Sequence, residues 1–398
     1  MIGRALGLVG AGVGGAVIGI LVMASAQGDG GSDEPVTATT GPARVAPPPE
    51  PSTDVLLAWT PGSLDPALTD TAHELPRIRV VSEVAAGRTN LVASHDSDGA
   101  AVDRLTDGWS IPLDTIAIDP DAHAQLASVA DRGTVAALGP GEALLGRTSA
   151  RLRRLDVGAT LELDTGVTLQ VSGIVEDATV GAAELVVDQA TGADIGVTDP
   201  RYLLLAHDGD RAGVEAALRA ALPAGAPVRF RGQGETPYLR HGDAVLPQVK
   251  LKERFGEFAY KPPAPGRREF QQDPAWQSEN LVTVDLPRLG TVRCHRAVVD
   301  AIRGALAEIE AANLGHLVDP DGFAGCWSPR LVLAEGDAVS HHAWGVALDV
   351  NYDANPTGRA SLQDTRLVDV FRRWGFTWGG QWLVTDPAHF EYVTPPEG

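Results

Sequence analysis

An aspartate sits inside an apolar run, Gly345-Val-Ala-Leu-Asp349-Val350, just after Ser340-His341-His342. A carboxylate is rarely buried unless something pairs with it, so Asp349 dictates a polar or metal partner in whatever fold this segment adopts. Read as a strand, the run sends Val346, Leu348 and Val350 to one face and Gly345, Ala347 and Asp349 to the other. His389-Phe-Glu391-Tyr-Val393 alternates in the same way, with His389 and Glu391 sharing a face. If the two strands are neighbours, His342, Asp349 and His389 converge. Two imidazoles, one carboxylate and an open fourth position suit a catalytic zinc site. Asp386, three residues before His389 and followed by Pro387, places a second carboxylate near the metal without making it a ligand. That is the position a general base needs. Periodicity alone leaves two readings open, a metal site and a hydrogen-bonded structural knot.

The other end of the chain bears on compartment. Ala5–Gly28 carries no charge and follows Arg4. It is long enough for a bilayer, which takes about 20 apolar residues. It also ends in Ala24-Ser25-Ala26, which suits signal-peptide cleavage. Residues 1–26 therefore read as a transmembrane anchor or a signal peptide, and either one exports the rest. In an exported chain the two cysteines, Cys294 and Cys326, pair as a disulfide rather than serve as metal ligands. The net charge of -20 argues against a nucleic-acid partner, which needs a basic face.

Residues 27–53, rich in Gly, Pro, Ser and Thr, cannot bury a core and read as a disordered linker. Residues 54–246 mix strand and helix patterns. Val55–Trp59 and Arg77–Val84 read as strands around a helix at Pro66–Glu74. Ala159–Leu163 and Val167–Asp177 form a hairpin across Asp164-Thr165-Gly166. Arg201–Gly232 reads as strand, helix, strand, with Asp210 capping the helix. Two βαβ-like units flanking a β-rich insert loosely resemble the extracytoplasmic domain of MacB/FtsX-type permeases. The resemblance covers this region only and carries no catalytic signature, so residues 54–246 are a structural module and a candidate surface for a protein partner. Lys250–Pro274 is Pro- and charge-rich and reads as a lead-in to the last domain. There, Ile302, Leu306 and Ile309 share a helical face within Val298–Leu314, and a second amphipathic helix falls near Leu362–Trp374.

The pattern Ser340-x-His342-x-x-Gly345-x-Ala347-x-Asp349 followed by Asp386-x-x-His389 resembles the signature of metallopeptidase family fifteen. That family comprises VanY/VanX-type D-alanyl-D-alanine carboxypeptidases and dipeptidases and the L-alanyl-D-glutamate peptidases of phage endolysins. The likeness spans about Asn280–Val393, including Cys294-His-Arg, Gly325-Cys-Trp-Ser-Pro-Arg330 and Trp374–Trp382. It implies Zn2+ on His342, Asp349 and His389, with Asp386 as the catalytic base. VanX/VanY-type members usually carry Glu at that last position, and the aspartate looks more like the endolysin branch. Arg330 matches a family arginine that holds substrate or the developing oxyanion; its plainer reading is a surface ion pair. His341 falls off the motif and reads as solvent-facing or supporting. Trp344, Trp378 and Trp382 are candidates for a substrate groove or for core.

The expected fold class is α+β. A C-terminal zinc peptidase domain (247–398) with a small antiparallel sheet and flanking helices follows a mixed α/β extracytoplasmic domain (54–246) and an N-terminal transmembrane helix. The expected activity is hydrolysis of peptidoglycan stem peptides, at D-alanyl-D-alanine or, close behind, L-alanyl-D-glutamate, outside the cytoplasm and anchored to the membrane through the N-terminal helix. A non-catalytic sensor or tether that binds wall peptides is the alternative.

Overall fold

The computed structural model describes residues 54–332 and 338–394. Strands β1 (Asp54–Trp59), β2 (Ile78–His95), β3 (Ala101–Arg104), β4 (Ile111–Ile118), β5 (Glu142–Gly146), β6 (Thr160–Leu163), β7 (Thr168–Val175), β8 (Leu185–Asp188), β9 (Pro200–His207) and β10 (Arg229–Gly232) join one sheet. At one end β10-β1-β9-β2 pair antiparallel, with helices Pro66–Glu74 and Arg211–Ala221 in the β1–β2 and β9–β10 connections. Asp65 and Asp210 start those helices by accepting backbone N–H bonds from Ala67 and Gly213. These are the two flanking βαβ-like units expected from the sequence. Between them the path β2-β4-β8-β5-β7-β6 returns to β2 and closes on itself. Closure is possible because β2 is 18 residues long, far beyond the strand expected at Arg77–Val84. Its first part pairs with β9 and its later part with β4, β3 and β6. Leu91, Leu113, Leu161, Leu169 and Leu185, all fully buried, form one core cluster contributed by five of these strands.

The C-terminal region is built around a three-stranded antiparallel sheet, Ala347–Asp349, His389–Tyr392 and Phe376–Trp378, with His389–Tyr392 in the centre. Helix Val299–Ala311 buries Ile302, Leu306 and Ile309 as the periodicity requires. Helix Thr365–Arg373, capped by Asp364, lays Phe371 against Phe390 with ring centroids 4.6 Å apart. The hairpin Leu281–Leu286 and Gly290–His295 carries Cys294 near its end, and Cys294 is disulfide-bonded to Cys326.

The expected N-terminal transmembrane helix is corrected by the fold. No helix among the described residues is long and apolar enough to cross a membrane. Val299–Ala311, with 13 residues, reaches only about 20 Å against a hydrocarbon core of about 30 Å. It also exposes Arg303, Glu308 and Glu310 at least in part. The proposed span 1–26 and linker 27–53 lie outside the described residues, so membrane attachment through that helix is not carried forward. The fold is a mixed α/β body dominated by one large sheet.

The supposed lead-in is a joint. Helix Gln248–Phe255 docks on the sheet region through Lys252, whose side chain is fully buried. Its Nζ donates to the Pro112 carbonyl at 2.6 Å and lies 2.8 Å from Glu184 and 3.0 Å from Glu257. Arg153, also buried, approaches Glu184 at 3.3 Å and Glu257 at 2.5 Å. Two cations thus balance two carboxylates, the fully buried Glu184 and the partly exposed Glu257, which makes burial of Lys252, Arg153 and Glu184 tolerable. Farther along, the backbones of Ser110 and Tyr260 exchange hydrogen bonds of 2.9 and 2.8 Å, and the Tyr260 hydroxyl donates to Asn90 at 2.5 Å.

Removing one partner of such a cluster strands the others. Lys252→Ala is expected to cost about 3–5 kcal/mol in urea unfolding, with Lys252→Arg losing less. Burial pushes the Glu257 carboxyl up, but Arg153 and Lys252 pull it below its ordinary value. Its contribution to stability is therefore complete above the ordinary glutamate range and lost as pH falls through the depressed native value. Unfolding midpoints measured from neutral pH into the acid range should show that loss for the wild type and a smaller one for Glu257→Gln.

Candidate metal centre and active site

The antiparallel register puts Asp349 directly opposite His389, with Leu348 opposite Phe390 and Ala347 opposite Glu391. The two strands are indeed neighbours. The strand carrying Asp349 is shorter than the alternation implied, because Gly345 is not part of it. It closes the turn His341–Trp344 in the left-handed region at φ 70°. A Cβ there would come within 2.8 Å of the His295 nitrogen, so the residue is also constrained by close approach. The turn begins at Ser340, whose hydroxyl accepts the His342 N–H at 3.3 Å. Ser340 shapes the turn that aims His342 inward.

His342 Nε2, Asp349 Oδ1 and His389 Nδ1 lie 2.9–3.2 Å from one another. Ligand atoms placed tetrahedrally at 2.0–2.2 Å from one ion are separated by roughly 3.3–3.5 Å. Among the described residues this is the group of histidine and acidic side chains arranged to hold a metal. The remaining nitrogens each have an acceptor of their own, so that loss of the inward protons would turn lone pairs toward a bound ion. His342 Nδ1 lies 3.0 Å from the Cys326 carbonyl oxygen and donates to it. His389 Nε2 lies 3.1 Å from Glu391 Oε1 and donates to that carboxylate. Partners of this kind set the tautomer and hold the rings of metal-binding histidines. The carbonyl that orients His342 belongs to a disulfide-bonded cysteine, so the covalent bridge braces the site directly.

Electrostatics agree that the cluster calls for positive charge. Burial pushes the Asp349 carboxyl up, but His342 and His389 hold it well below the carboxylate range. Glu391 is likewise pushed up by burial and drawn far down by His341 and His389. Burial lowers the basicity of His389, yet hydrogen bonds to Asp349 and Glu391 raise it to about 10. Burial dominates at His342, which is lowered. A proton held between two carboxylates occupies the place a bound cation would take.

Glu391 was noted in the sequence only as a face-mate of His389. It is a supporting carboxylate, shared between His389 and His341, whose Nδ1 lies 2.9 Å away. The signal was present in the spacing of His389 and Glu391, but nothing in the sequence paired His341 with them. His341 is thus a supporting residue. Of the three tryptophans, Trp344 is fully buried core and donates to the Gly256 carbonyl at 3.0 Å. Trp378 donates to the Pro387 carbonyl at 2.8 Å. Trp382 alone of the three lines the cleft, its ring centroid 5.1 Å from that of His389.

The cleft, about 180 Å3, also receives Asp386 and Arg330. Arg330 Nη2 stands 3.6 Å from Asp349 Oδ2, so its cation faces the site rather than bulk solvent. Burial lowers its basicity while Asp349 raises it. Asp386 is raised above its ordinary value, chiefly by burial. Its loop folds back on Gly379, whose carbonyl accepts the Asp386 and Trp382 N–H groups at 2.9 and 3.0 Å. A Cβ at Gly379 would lie 2.7 Å from the Asp386 oxygen, so only glycine lets the loop close this tightly.

Residues 334–392 match the family model of D-alanyl-D-alanine carboxypeptidases. This carboxypeptidase-like segment contains His342, Asp349, Asp386 and His389, and Arg330 lies just before it; the C-terminal region is peptidase-like. No curated protein matches the chain. Among solved structures, the chain is similar to the periplasmic region of MacB from Actinobacillus actinomycetemcomitans, at 11% identity and a TM-score of 0.31, over 45% of this chain and 88% of that one. It is also similar to the extracellular domain of the noncanonic ABC-type transporter YknZ from Gram-positive bacteria, at 11% identity and a TM-score of 0.29. That match covers 46% of this chain and 100% of the other.

If Glu391 orients His389, its loss should weaken metal binding while the three ligands remain. Glu391→Gln is expected to lower zinc affinity by about 10–100-fold, measured by competition with a chromogenic chelator, whereas His389→Ala should abolish stoichiometric binding.

Proposed function

We propose that the chain is a zinc peptidase that hydrolyses peptide bonds in peptidoglycan stem peptides outside the cytoplasm. A D-alanyl-D-alanine carboxypeptidase is the leading assignment and an L-alanyl-D-glutamate endopeptidase the next. The observation that carries it is the convergence of His342, Asp349 and His389 in a cleft that also holds a separate, partly buried carboxylate, Asp386. Two imidazoles and one carboxylate with an open side match the donor chemistry of catalytic zinc. Bound there, zinc would act as a Lewis acid toward the scissile carbonyl and favour ionisation of water.

The protein's own groups then divide the work. Asp386 accepts the proton of the attacking water and delivers it to the departing amine nitrogen. Burial, by raising its proton affinity, suits it to both transfers. Arg330 offsets negative charge, either on the carbonyl oxygen as it becomes tetrahedral or on a substrate carboxylate. Glu391 and the Cys326 carbonyl hold the two imidazoles in place. Arg240 and Arg268 join Arg330 along the cleft of a chain whose net charge is -20. The cleft is also lined by Asp114, Asp386 and Glu391, so its charge is mixed, but its guanidinium groups offer partners to a substrate carboxylate, which supports cleavage next to a peptide C-terminus. The disulfide suits an oxidising compartment, where the cell-wall substrate resides.

Purified muropeptides incubated with the zinc-loaded protein should lose a terminal D-alanine, seen as a mass change and suppressed by a chelator. Release of a different fragment would reassign the bond. Asp386→Ala should reduce turnover by about 10²–10⁴-fold while retaining zinc. Binding of muropeptides with no chelator-sensitive product would refute the enzyme and favour a wall-peptide sensor.

A further inference from the structure

The loop that carries Asp386 is held from outside the peptidase-like region. Asp243, in the segment after β10, has a side chain only 4% exposed. One of its oxygens pairs with Arg229 and, at 2.5 Å, with Arg231, both on β10. The other accepts the backbone N–H of Leu383. Arg229 reaches the same loop independently, donating to the Gln381 carbonyl at 3.1 Å. Arg231 locks the Asp243 segment by donating to the Arg240 and Gly242 carbonyls at 3.1 and 2.7 Å. The Leu383 side chain packs against a core cluster of the large sheet that includes Val55, Trp59, Tyr202 and Leu204. Backbone and side chain of the loop are therefore both anchored to the sheet region, three residues before Asp386.

We propose that Asp243 is a positioning residue for the active site, fixing the Gln381–Asp386 loop so that the Asp386 carboxylate stays in the cleft beside the metal ligands. Its catalytic consequence rests on the peptidase reading above. The physical case is that a general base must sit within hydrogen-bond reach of the proton it removes, and small displacements are costly. The three ligands are aimed by a sheet and a capped turn, whereas Asp386 lies on a loop. Within the C-terminal region the loop is tied to Gly379 and, through Thr385, to Gly358 and Arg359 at 2.6 and 2.9 Å; the Asp243 pairing is what ties it to the sheet region. A buried carboxylate paired with two guanidinium groups is a rigid acceptor, and Leu383 adds apolar anchorage beside it. The sheet region thereby becomes a working part of the site rather than a separate module.

The test uses the full zinc-loaded chain with Asp243→Asn and, as a variant that leaves the charge cluster intact, Leu383→Ala. Amide exchange followed by mass spectrometry compares a peptide spanning residues 379–388 with one spanning 345–351. Exchange in the first should accelerate by about tenfold or more in both variants. The second peptide and the zinc stoichiometry should be unchanged. On muropeptides, kcat should fall about tenfold with KM within twofold of the wild type, the pattern of an interaction needed in the transition state. Unchanged exchange at 379–388 in folded variants overturns the clamp. Accelerated exchange with undiminished kcat overturns its positioning role. If the wild type hydrolyses nothing, the peptidase reading fails on its own, and the exchange comparison still decides whether Asp243 holds the loop.

Discussion

The cross-strand pairing of Asp349 with His389 is the constraint on which the site depends. Register in an antiparallel sheet is quantised, and a slip of one residue would turn the carboxylate to the opposite face. The pair is buried and carries unlike charge, so it specifies its own register: no other alignment of these short strands pairs the carboxylate with an imidazole. Leu348 opposite Phe390 fills the other face and makes the same choice on apolar grounds. Once the pair is in place, His342 needs only a tight turn to reach it. Ser340 and Gly345 supply the two ends of that turn, and the disulfide-tethered Cys326 supplies the carbonyl that orients the ring.

The same logic of compensated burial joins the sheet region to the peptidase-like region. Lys252, Arg153, Glu184 and Glu257 would each be prohibitively costly to bury alone, but together they are neutral and hydrogen-bonded. Such a cluster contributes little net stability compared with an apolar contact, yet it tolerates few alternative dockings. Asp243 repeats the device nearer the site, with two arginines and a loop amide sharing one carboxylate. Charge thus acts here to fix relative placement. The surrounding leucine and aromatic clusters supply the bulk of the driving force.

What the sequence revealed follows from the range of the interactions involved. Asp210 announced a helix start because capping acts over two or three residues. The alternation around Asp349 and His389 was legible for the same reason, and the exported-chain argument paired the cysteines. The roles of Glu391 and His341 were not legible, since their contact joins a turn and a strand distant in sequence. Lys250–Pro274 read only as a Pro- and charge-rich lead-in, because Lys252 finds its partners 68 and 140 positions away. The length of β2 was underestimated because Gly87, Arg88, Thr89 and Asn90 interrupt the apolar pattern. The structure accommodates them in the strand, where Thr89 bonds Thr115 at 2.7 Å. The N-terminal apolar run showed only that a span was affordable in length, and no described helix bears it out.

A division of labour between sheet and loop follows from the chemistry asked of each carboxylate. In the proposed peptidase Asp349 binds a cation permanently, which suits a strand position opposite its partner, where its pKa is driven down. In the same proposal Asp386 gains and loses a proton, a task suited to a carboxylate that stands apart from the cation and keeps a raised proton affinity. A loop provides the offset but forfeits rigidity, and rigidity must then come from elsewhere. In this chain the nearest rigid body beyond the peptidase-like region is the large sheet, and its edge strand β10 presents two arginines toward the loop. An acidic residue set between those arginines and the Leu383 amide is a direct physical means of giving a loop-borne base the precision of a strand.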